Sequence, residues 1–373
     1  MKKIIYLDNA ATTKPCTESL KKATALYEAA YFNPSALYRE GRSVKSEIDL
    51  ARGKIQKAFP SASKLIFTSC GTEADNMAIF GFAGRGNVVT TQGEHSAVYN
   101  SFMRLKERGV EVRFARLTEG GFVDEKDLLS KIDEKTSFVS VSHVNNETGA
   151  VNNINRISAE VKKIAPKAIF HSDGVQAFGK IPVTLSPTVS LYSISAHKIG
   201  GVKGVGALVI NDKINIQPYL VGGGQEGGLR SGTENVLGII DFGLVCEDAL
   251  SHVAERFDYV KNLNDLFVSL LDRDIYRLIS TDHCSPYIVC LSGVGLRGAV
   301  LQNMMNDDGI LIGTGSACSS KSPHSRIISS FINDRKVLDG VIRISFSPFT
   351  TESEIRQAVE KLNTHGRRLK SII

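Results

Sequence analysis

Lys198 lies in a run of small and apolar residues, SISAHKIGGVKGVGAL at 193–208, that contains no acidic residue. A buried ammonium ion is costly without a partner, so a lysine in such a setting tends to lose its proton. A neutral lysine is a nucleophile. The alternative is a solvated lysine in a glycine-rich turn, and other parts of the chain have to decide between the two.

A second nucleophile is Cys318, in the run GTGSACSSKSPHS at 313–325. No bulky apolar neighbour in this run would bury the thiol, so we expect it to be exposed. Most cysteines are inert core fillers, but the absence of a local core favours a reactive role here.

Short β-rich runs alternate with helix-like stretches between residues 60 and 210, which predicts a mainly parallel α/β sheet. The predicted strands are KLIFTS, NVVTT, VEVRFAR, SFVSVSHV, AIFHSD, VSLYSIS and GALVI, and helical candidates between them are GTEADNMAIFGFA, SAVYNSFMRLKERG and INRISAEVKKIA. A long helical pattern over 234–273 follows, then the strand YIVCLS, a helix near 297–307 and the strand GVIRISFS. This second region is typical of a smaller α+β domain.

Asp173 ends the apolar strand AIFHSD, and ligands of open α/β sheets collect at such carboxyl ends. Its ionisation there requires a close positive group. A helix cap is an alternative, as is a metal site with His171. Residues two apart on a strand share a face only in part, and no further ligand set has zinc-like spacing, so metal is the weaker option.

Other strands end in polar residues as well. His95 follows NVVTTQGE, and Asn145 and Asn146 follow SVSHV; taken singly, such residues more often pack, cap or form turns. In KLIFTSCGTEADN a strand leads through Gly71 and Thr72 into a helix, which would make an anion site suited to phosphate. Thr72 by itself would more often be a helix N-cap.

Two glycine-rich stretches are candidates for ligand-binding loops. GGVKGVG matches neither of the common nucleotide-phosphate motifs, so we reject nucleotide binding. VGGGQEGGLRSGTEN is either a flexible linker or an anion-binding or interface loop that includes Arg230, Ser231 and Thr233.

The bulk composition is that of a globular enzyme. The chain has 373 residues, 42% hydrophobic and 23% charged, with a mean hydropathy of -0.05. The net charge of +6 is scattered, so a nucleic-acid groove is not indicated. The six cysteines form no CxxC pair, and neither a secretory segment nor a membrane-length apolar run is present, so we expect thiols in a cytoplasmic protein.

With these residues in hand, the chain resembles the cysteine desulfurases, pyridoxal-phosphate enzymes of fold type I. The resemblance rests on eight motifs in the family's order: YLDNAATT, TSCGTEADN, GEHSAV, HVNNETG, HSDGVQ, SAHKIGG, RSGTEN and GSACSS. It implies a large cofactor-binding domain over 16–253, with a mainly parallel seven-stranded sheet. It also implies a small α+β domain over 1–15 and 254–373.

The resemblance also implies roles for individual residues. Lys198 would carry pyridoxal 5'-phosphate as a Schiff base, Asp173 would hold the pyridinium nitrogen, and His95 would stack on the ring and shuttle protons. Asn146 and Gln176 would lie near the phenolic oxygen of the cofactor. Its phosphate would be held by Gly71, Thr72, Ser195 and His197, and Thr233 would reach the phosphate in the other subunit. Arg343, with Asn146, would bind the substrate carboxylate.

The implied reaction converts L-cysteine to L-alanine and transfers the sulfur to Cys318 as a persulfide. A sulfur-acceptor protein, of iron–sulfur cluster assembly or of thio-cofactor or tRNA thiolation, would receive it from a homodimer. Cys70, Gly71 and Gly174 depart from residues common in the family. Rival interpretations are a selenocysteine lyase, another C–S lyase or an aminotransferase, none of which needs Cys318, and a non-catalytic binding protein that kept the fold.

Overall fold

The computed structural model describes residues 4–82, 86–314 and 324–372. Two sheets organise them. The strands are β1 Ile5–Leu7, β2 Ser63–Thr68, β3 Asn87–Thr91, β4 Val112–Ala115, β5 Thr136–Ser140, β6 Ile169–Asp173, β7 Leu191–Ser195, β8 Gly206–Asn211, β9 Tyr276–Leu278, β10 Ile288–Gly293, β11 Ile310–Thr314 and β12 Val341–Ser345.

The larger sheet has seven strands in the order β2-β8-β7-β6-β5-β3-β4. Only β8 runs against its neighbours, and the pairs from β7 through β4 are parallel. These are the seven strands predicted from the β-rich runs, so the predicted mainly parallel α/β sheet is confirmed. A parallel sheet directs the carboxyl ends of its strands to one edge, which positions the site described below.

The helices are α1 Thr17–Ala29, α2 Arg39–Gln56, α3 Gly71–Phe80, α4 Ser96–Glu107, α5 Glu125–Ser130, α6 Ile154–Ile164, α7 Val236–Ser251, α8 Val253–Leu270, α9 Gly298–Asp307, α10 Arg326–Ser329, α11 Arg335–Asp339 and α12 Glu352–Lys370. The single long helix predicted over 234–273 is therefore two helices that meet at His252. Their apolar patterns run on from one to the other, which is why the sequence did not reveal the break.

Both faces of the seven-stranded sheet are covered by helices. Side chains alternate across each strand, so Phe170 joins a core built with α2, α6 and α7, while its neighbour Ile169 joins a core built with α3 and α4. Coverage of both faces explains why every residue of β3, β6 and β7 is buried.

The smaller sheet has the order β1-β11-β12-β10-β9 and packs its own core with α8, α9 and α12. Its first strand comes from the N-terminus, as the proposed division into 16–253 and 1–15 plus 254–373 requires. The domain boundaries themselves stay a prediction. Among the described residues, no helix has both the length and the apolar character needed to cross a bilayer.

Candidate active site

The predicted site residues of the large sheet lie at its carboxyl edge. Asp173 is the last residue of β6 and Ser195 the last of β7, and a short helical turn over Ala196–Lys198 follows at once. His95 is the N-cap of α4, where its Nδ1 accepts a hydrogen bond from the Ala97 N–H at 3.2 Å. The topology thus brings together residues that are far apart in the sequence.

His95, Asp75 and Asp173 form a tight cluster in which their ring nitrogen and carboxylate oxygens lie within 4.8 Å of one another. Burial raises the pKa of Asp173, opposed by the charge on His95, the Val175 N–H and the charge on Lys198. Burial also raises the pKa of Asp75 well above its usual range and lowers that of His95. A buried carboxylate in this environment is stabilised by a cation beside it, which a pyridinium nitrogen would supply.

His171 does not pair with Asp173 as a metal ligand would. Its ring is fully buried, with Nδ1 2.8 Å from the Ser140 hydroxyl and Nε2 3.0 Å from the Ser193 hydroxyl. Burial lowers the pKa of His171 to about 3, so the ring is neutral. The two hydroxyl contacts hold this ring in β6, two residues before Asp173.

Lys198 is half-buried, and its Nζ donates hydrogen bonds to the carbonyl oxygens of Ala10 at 2.6 Å and Ala11 at 2.7 Å. The sequence run around Lys198 did not reveal these partners, because Ala10 and Ala11 belong to the N-terminal segment of the chain. The lysine lies at the carboxyl edge of the sheet, close enough to influence the titration of both Asp173 and His95.

The N-terminus of α3 forms a cradle beside Ser195. Cys70 is the N-cap but makes no side-chain cap bond, so the first-turn N–H groups of the helix are left for another acceptor. A Cβ atom at Gly71 would lie 2.8 Å from Val175 Cγ2 and 3.5 Å from Ser195 Cβ, which shows how closely the backbone at Gly71 approaches these two side chains. The Ser195 hydroxyl is buried without a hydrogen-bond partner. An unpaired hydroxyl beside a helix N-terminus fits a phosphate group.

Thr72 lies exposed in the first turn of α3 and is not its N-cap, so the capping alternative was wrong. His197 lies on the turn that leads to Lys198, with Nδ1 3.1 Å from the Thr12 hydroxyl. Burial, together with the charges of Lys198 and two further lysines, lowers the pKa of His197 to about 4. The His197 ring is therefore neutral.

Gln176 is buried and fixed at both ends of its amide. Nε2 donates to the Ala10 carbonyl at 2.8 Å, and Oε1 accepts from Lys180 Nζ at 2.9 Å. Lys180 is itself buried, and burial lowers its pKa well below the usual range. Ala10 is also a partner of Lys198, so Gln176 lies beside the reactive lysine.

Arg343 lies on β12 of the smaller sheet and faces the large sheet. Its Nη1 donates to the Asn146 carbonyl and its Nη2 to Asp8 Oδ1, each at 2.7 Å, while Nε is buried without a partner. The guanidinium is thus held in place with donors left for a carboxylate. Neighbouring Asn145 has a structural role, because its side chain bonds the Gly93 carbonyl at 2.9 Å and links two of the active-site turns.

Two predicted site residues are not joined to this cluster. Thr233 is exposed and lines a different cavity of about 360 Å³ with Tyr27, Tyr31 and Phe32. Cys318 lies outside the described residues.

Sequence reasoning missed two acids. Asp8 follows β1 directly, and the strand-end rule that singled out Asp173 would also have found it. Asp75 lies in α3 with Gly71, Ala74 and Ala78, at the spacing of a buried helical face, so an acid on that face was a detectable signal.

The departure at Gly174 has a structural reason. A Cβ atom there would lie 2.0 to 2.4 Å from ring and hydroxyl atoms of Tyr192. Tyr192 fills this space and its hydroxyl lies 2.7 Å from His143 Nδ1. The glycine therefore makes room for a buried tyrosine beside the strand end that carries Asp173.

Comparison with known proteins places this fold and site in one family. Residues 5–358 match the family model for class-V aminotransferases. The chain therefore belongs to the class-V aminotransferase family. Within that family it belongs with the cysteine desulfurases, which confirms the resemblance drawn from the eight motifs.

A cysteine desulfurase IscS of Dictyoglomus turgidum is 34% identical over 383 residues, covering 100% of this chain and 97% of that protein. A solved NifS-like protein superposes with a TM-score of 0.91 at 32% identity, covering 98% of this chain and all of the other. The NifS-like protein of Rickettsia africae gives a TM-score of 0.88 at 28% identity, with 97% and 99% coverage.

Proposed function

We propose that this protein is a cysteine desulfurase that uses pyridoxal 5'-phosphate to convert L-cysteine to L-alanine and transfers the sulfur to Cys318. The observation that carries the proposal is the convergence of Lys198, Asp173 and Arg343 on His95, close enough to affect its titration. Asp173 ends β6, Lys198 lies on the turn after β7, Arg343 lies within β12 and His95 caps α4. Each would supply a group that the reaction needs.

The described residues fit the cofactor. The Ser195 hydroxyl and the α3 N-terminus, with Gly71, Thr72 and His197, would hold its phosphate, and Asp173 would face its ring nitrogen. When bound, the cofactor supplies an electron sink that stabilises negative charge at the substrate Cα. Gln176 and Asn146 would border the phenolic oxygen side.

The protein's own groups would perform the remaining steps. Arg343 would bind the substrate carboxylate in a bidentate fork, because Asp8 and the Asn146 carbonyl already fix its guanidinium. Lys198 would hold the cofactor covalently and then, as a free amine, take the Cα proton. His95, kept neutral by burial, would accept or return a proton next to the ring.

Sulfur transfer would take place at Cys318. Its thiolate would attack the sulfur of the bound cysteine, an S–S bond would form, and the C–S bond would break with its electron pair moving to the substrate Cβ. Protonation of Cβ and return of the proton taken from Cα would give alanine, so one cysteine and one thiol yield one alanine and one persulfide. An acceptor protein would then take the terminal sulfur from Cys318.

The test uses Cys318→Ser, which removes the soft nucleophile and keeps the size of the side chain. In deuterium oxide, the variant is expected to load the cofactor and to exchange the Cα proton of cysteine, because those steps depend on Lys198, Asp173 and Arg343. Alanine and protein persulfide, measured by mass spectrometry, are expected to fall to near background.

Release of alanine and sulfide by Cys318→Ser at the wild-type rate would contradict the desulfurase assignment and favour a C–S or selenocysteine lyase. Cys70→Ala is the matched control. Cys70 caps a helix and is expected to be dispensable for persulfide formation. We also propose a homodimer. The cytoplasmic location stays a prediction.

A further inference from the structure

The turn that carries His95 is bound by an arginine from α10. Arg326, the first residue of α10, donates from Nη1 to the Gln92 carbonyl and from Nη2 to the Glu94 carbonyl. Its guanidinium carbon also lies 3.7 Å from the centre of the Tyr99 ring, one turn into α4. The Arg326 side chain therefore contacts both the turn before His95 and the helix after it.

The residue before Arg326 holds a second active-site turn. The Ser325 hydroxyl donates to Glu147 Oε2, and the Glu147 N–H donates to Asn145 Oδ1 at 2.9 Å. Asn145 in turn bonds the Gly93 carbonyl. The turns that carry His95 and Asn146 are thus cross-linked to each other, and both are tied to the start of α10.

Buried acids surround the arginine. Burial raises the pKa of Glu94 to about 8, opposed by the Thr91 hydroxyl and the Ser142 N–H, and burial also raises the pKa of Glu147. The charge of Arg326 interacts favourably with both carboxyl groups. A guanidinium that offers several donors in a rigid plane suits two carbonyls, an aromatic face and two acids better than an ammonium would.

Arg326 also belongs to the set of charges that act on His95. After burial, which lowers its pKa, the groups that face the imidazole are Asp75 and Asp173 on the acidic side and Lys198, Arg326 and Arg343 on the basic side. Asp173 raises the pKa of His95, and the three basic residues lower it.

We propose that Arg326 is a positioning residue for His95, which holds the His95 turn against α10 and favours the neutral imidazole through its positive charge. The catalytic consequence rests on the proposed function. The positioning does not, because it follows from contacts within the chain. The contacts of Arg326 are with the Gln92 and Glu94 carbonyls and the Tyr99 ring, so it acts on the site through the turn and the helix on either side of His95.

Two variants separate the contributions of charge and shape. Arg326→Gln removes the charge, whereas Arg326→Lys keeps the charge but loses the planar fork. Arg335→Gln is the matched control, because Arg335 lies on α11 with an 85% exposed side chain and only a loose contact to Asp339. All three are made in the full chain and measured with and without added pyridoxal phosphate.

The first measurement is the titration of His95 by NMR of its labelled ring, assigned with a His95→Gln protein. Arg326→Gln is expected to raise the pKa of His95, because a positive charge that disfavours the imidazolium is lost. Arg326→Lys is expected to leave this pKa near the wild-type value, and Arg335→Gln to leave it unchanged. The second measurement is kcat for alanine formation, expected to fall about tenfold or more in Arg326→Gln.

An unchanged His95 titration in Arg326→Gln, with or without a lower melting temperature, would show that the arginine is only structural and would overturn the proposal. If Arg326→Gln does not fold, Arg326→Lys decides: unchanged kcat and titration would overturn it, and lower kcat with an unchanged pKa would support it. A wild-type protein that makes no alanine would contradict the proposed function, while the NMR titration would still test Arg326.

Discussion

At the scale of single residues, the titration of this site is governed by burial and by side chains from distant parts of the chain. Asp173 and Asp75 are buried carboxyl groups close to one another, and His95 lies beside both. Lys198 donates hydrogen bonds to two backbone carbonyls from the N-terminal segment, and its charge also acts on the Asp173 carboxyl group.

A residue-scale prediction follows for Lys198. Borohydride reduction of the cofactor-loaded protein, followed by peptide mapping, is expected to place the pyridoxyl group on Lys198. Lys180 provides an internal control, because it is a buried lysine whose pKa is lowered by burial, and its Nζ is bonded to Gln176. Lys180→Met is expected to retain the label at position 198. Recovery of the label on any other lysine would contradict the assignment.

At the scale of elements, most of the candidate site residues lie at or just beyond the end of a strand or helix, whereas Arg343 lies within β12. The N-terminus of α3 keeps its N–H groups for a ligand, and β12 presents Arg343 across the cleft to the large sheet. The chain after β1 supplies Asp8, which forms an ion pair with Arg343 and so joins β12 to the end of β1.

Asp8→Asn tests that coupling. The amide keeps the size of the carboxylate but loses its charge, so Arg343 is held less firmly. We expect KM for L-cysteine to rise about tenfold, equivalent to about 1.4 kcal/mol, with a smaller change in kcat. Substrate binding, followed by the change in cofactor absorbance, is expected to weaken in parallel.

Glu119→Gln is the control for Asp8→Asn. It removes an exposed ion pair with Arg277, at 3.8 Å, which is expected to contribute little. A KM for Asp8→Asn within twofold of the value for this control would show that Asp8 does not position the arginine.

At the scale of the whole molecule, several large apolar side chains are strongly exposed, among them Tyr31, Leu37 and Val221, with Leu37 at 89%. The cavity that contains Thr233 is lined in part by Tyr31 and Phe32. A second copy of the chain would cover such exposed apolar side chains, which supports the proposed homodimer.

Mixed dimers test whether Thr233 acts on the partner's site. If it does, pairing a Lys198→Ala subunit with a Thr233→Ala subunit gives one site with both defects and one intact site. The intact site is then expected to bind the cofactor as tightly as the wild type does. The mixed dimer is expected to have about half of the wild-type activity. Lys198→Ala paired with wild type is the control. Loss of tight cofactor binding at every site of the mixed dimer would show that Thr233 acts within its own chain.

From the sequence alone, the α/β class, all seven strands of the large sheet and most members of the site were predictable. The reason is local: alternation of apolar runs with helical patterns reports the sheet, and polar residues such as Asp173 and His95 directly after those runs report its functional edge. The ordered motifs added the family, because their combination is far more specific than any one of them.

Only the tertiary structure decided how those residues are held. Lys198 bonds Ala10, Arg343 bonds Asp8, and Arg326 bonds the Glu94 carbonyl next to His95. The two residues of each pair are more than 180 residues apart in the chain, and no local pattern reports such pairings. The break between α7 and α8 and the space that Tyr192 takes above Gly174 were likewise hidden. Sequence patterns record which face of an element is buried, whereas contacts between elements arise only when the two sheets pack together.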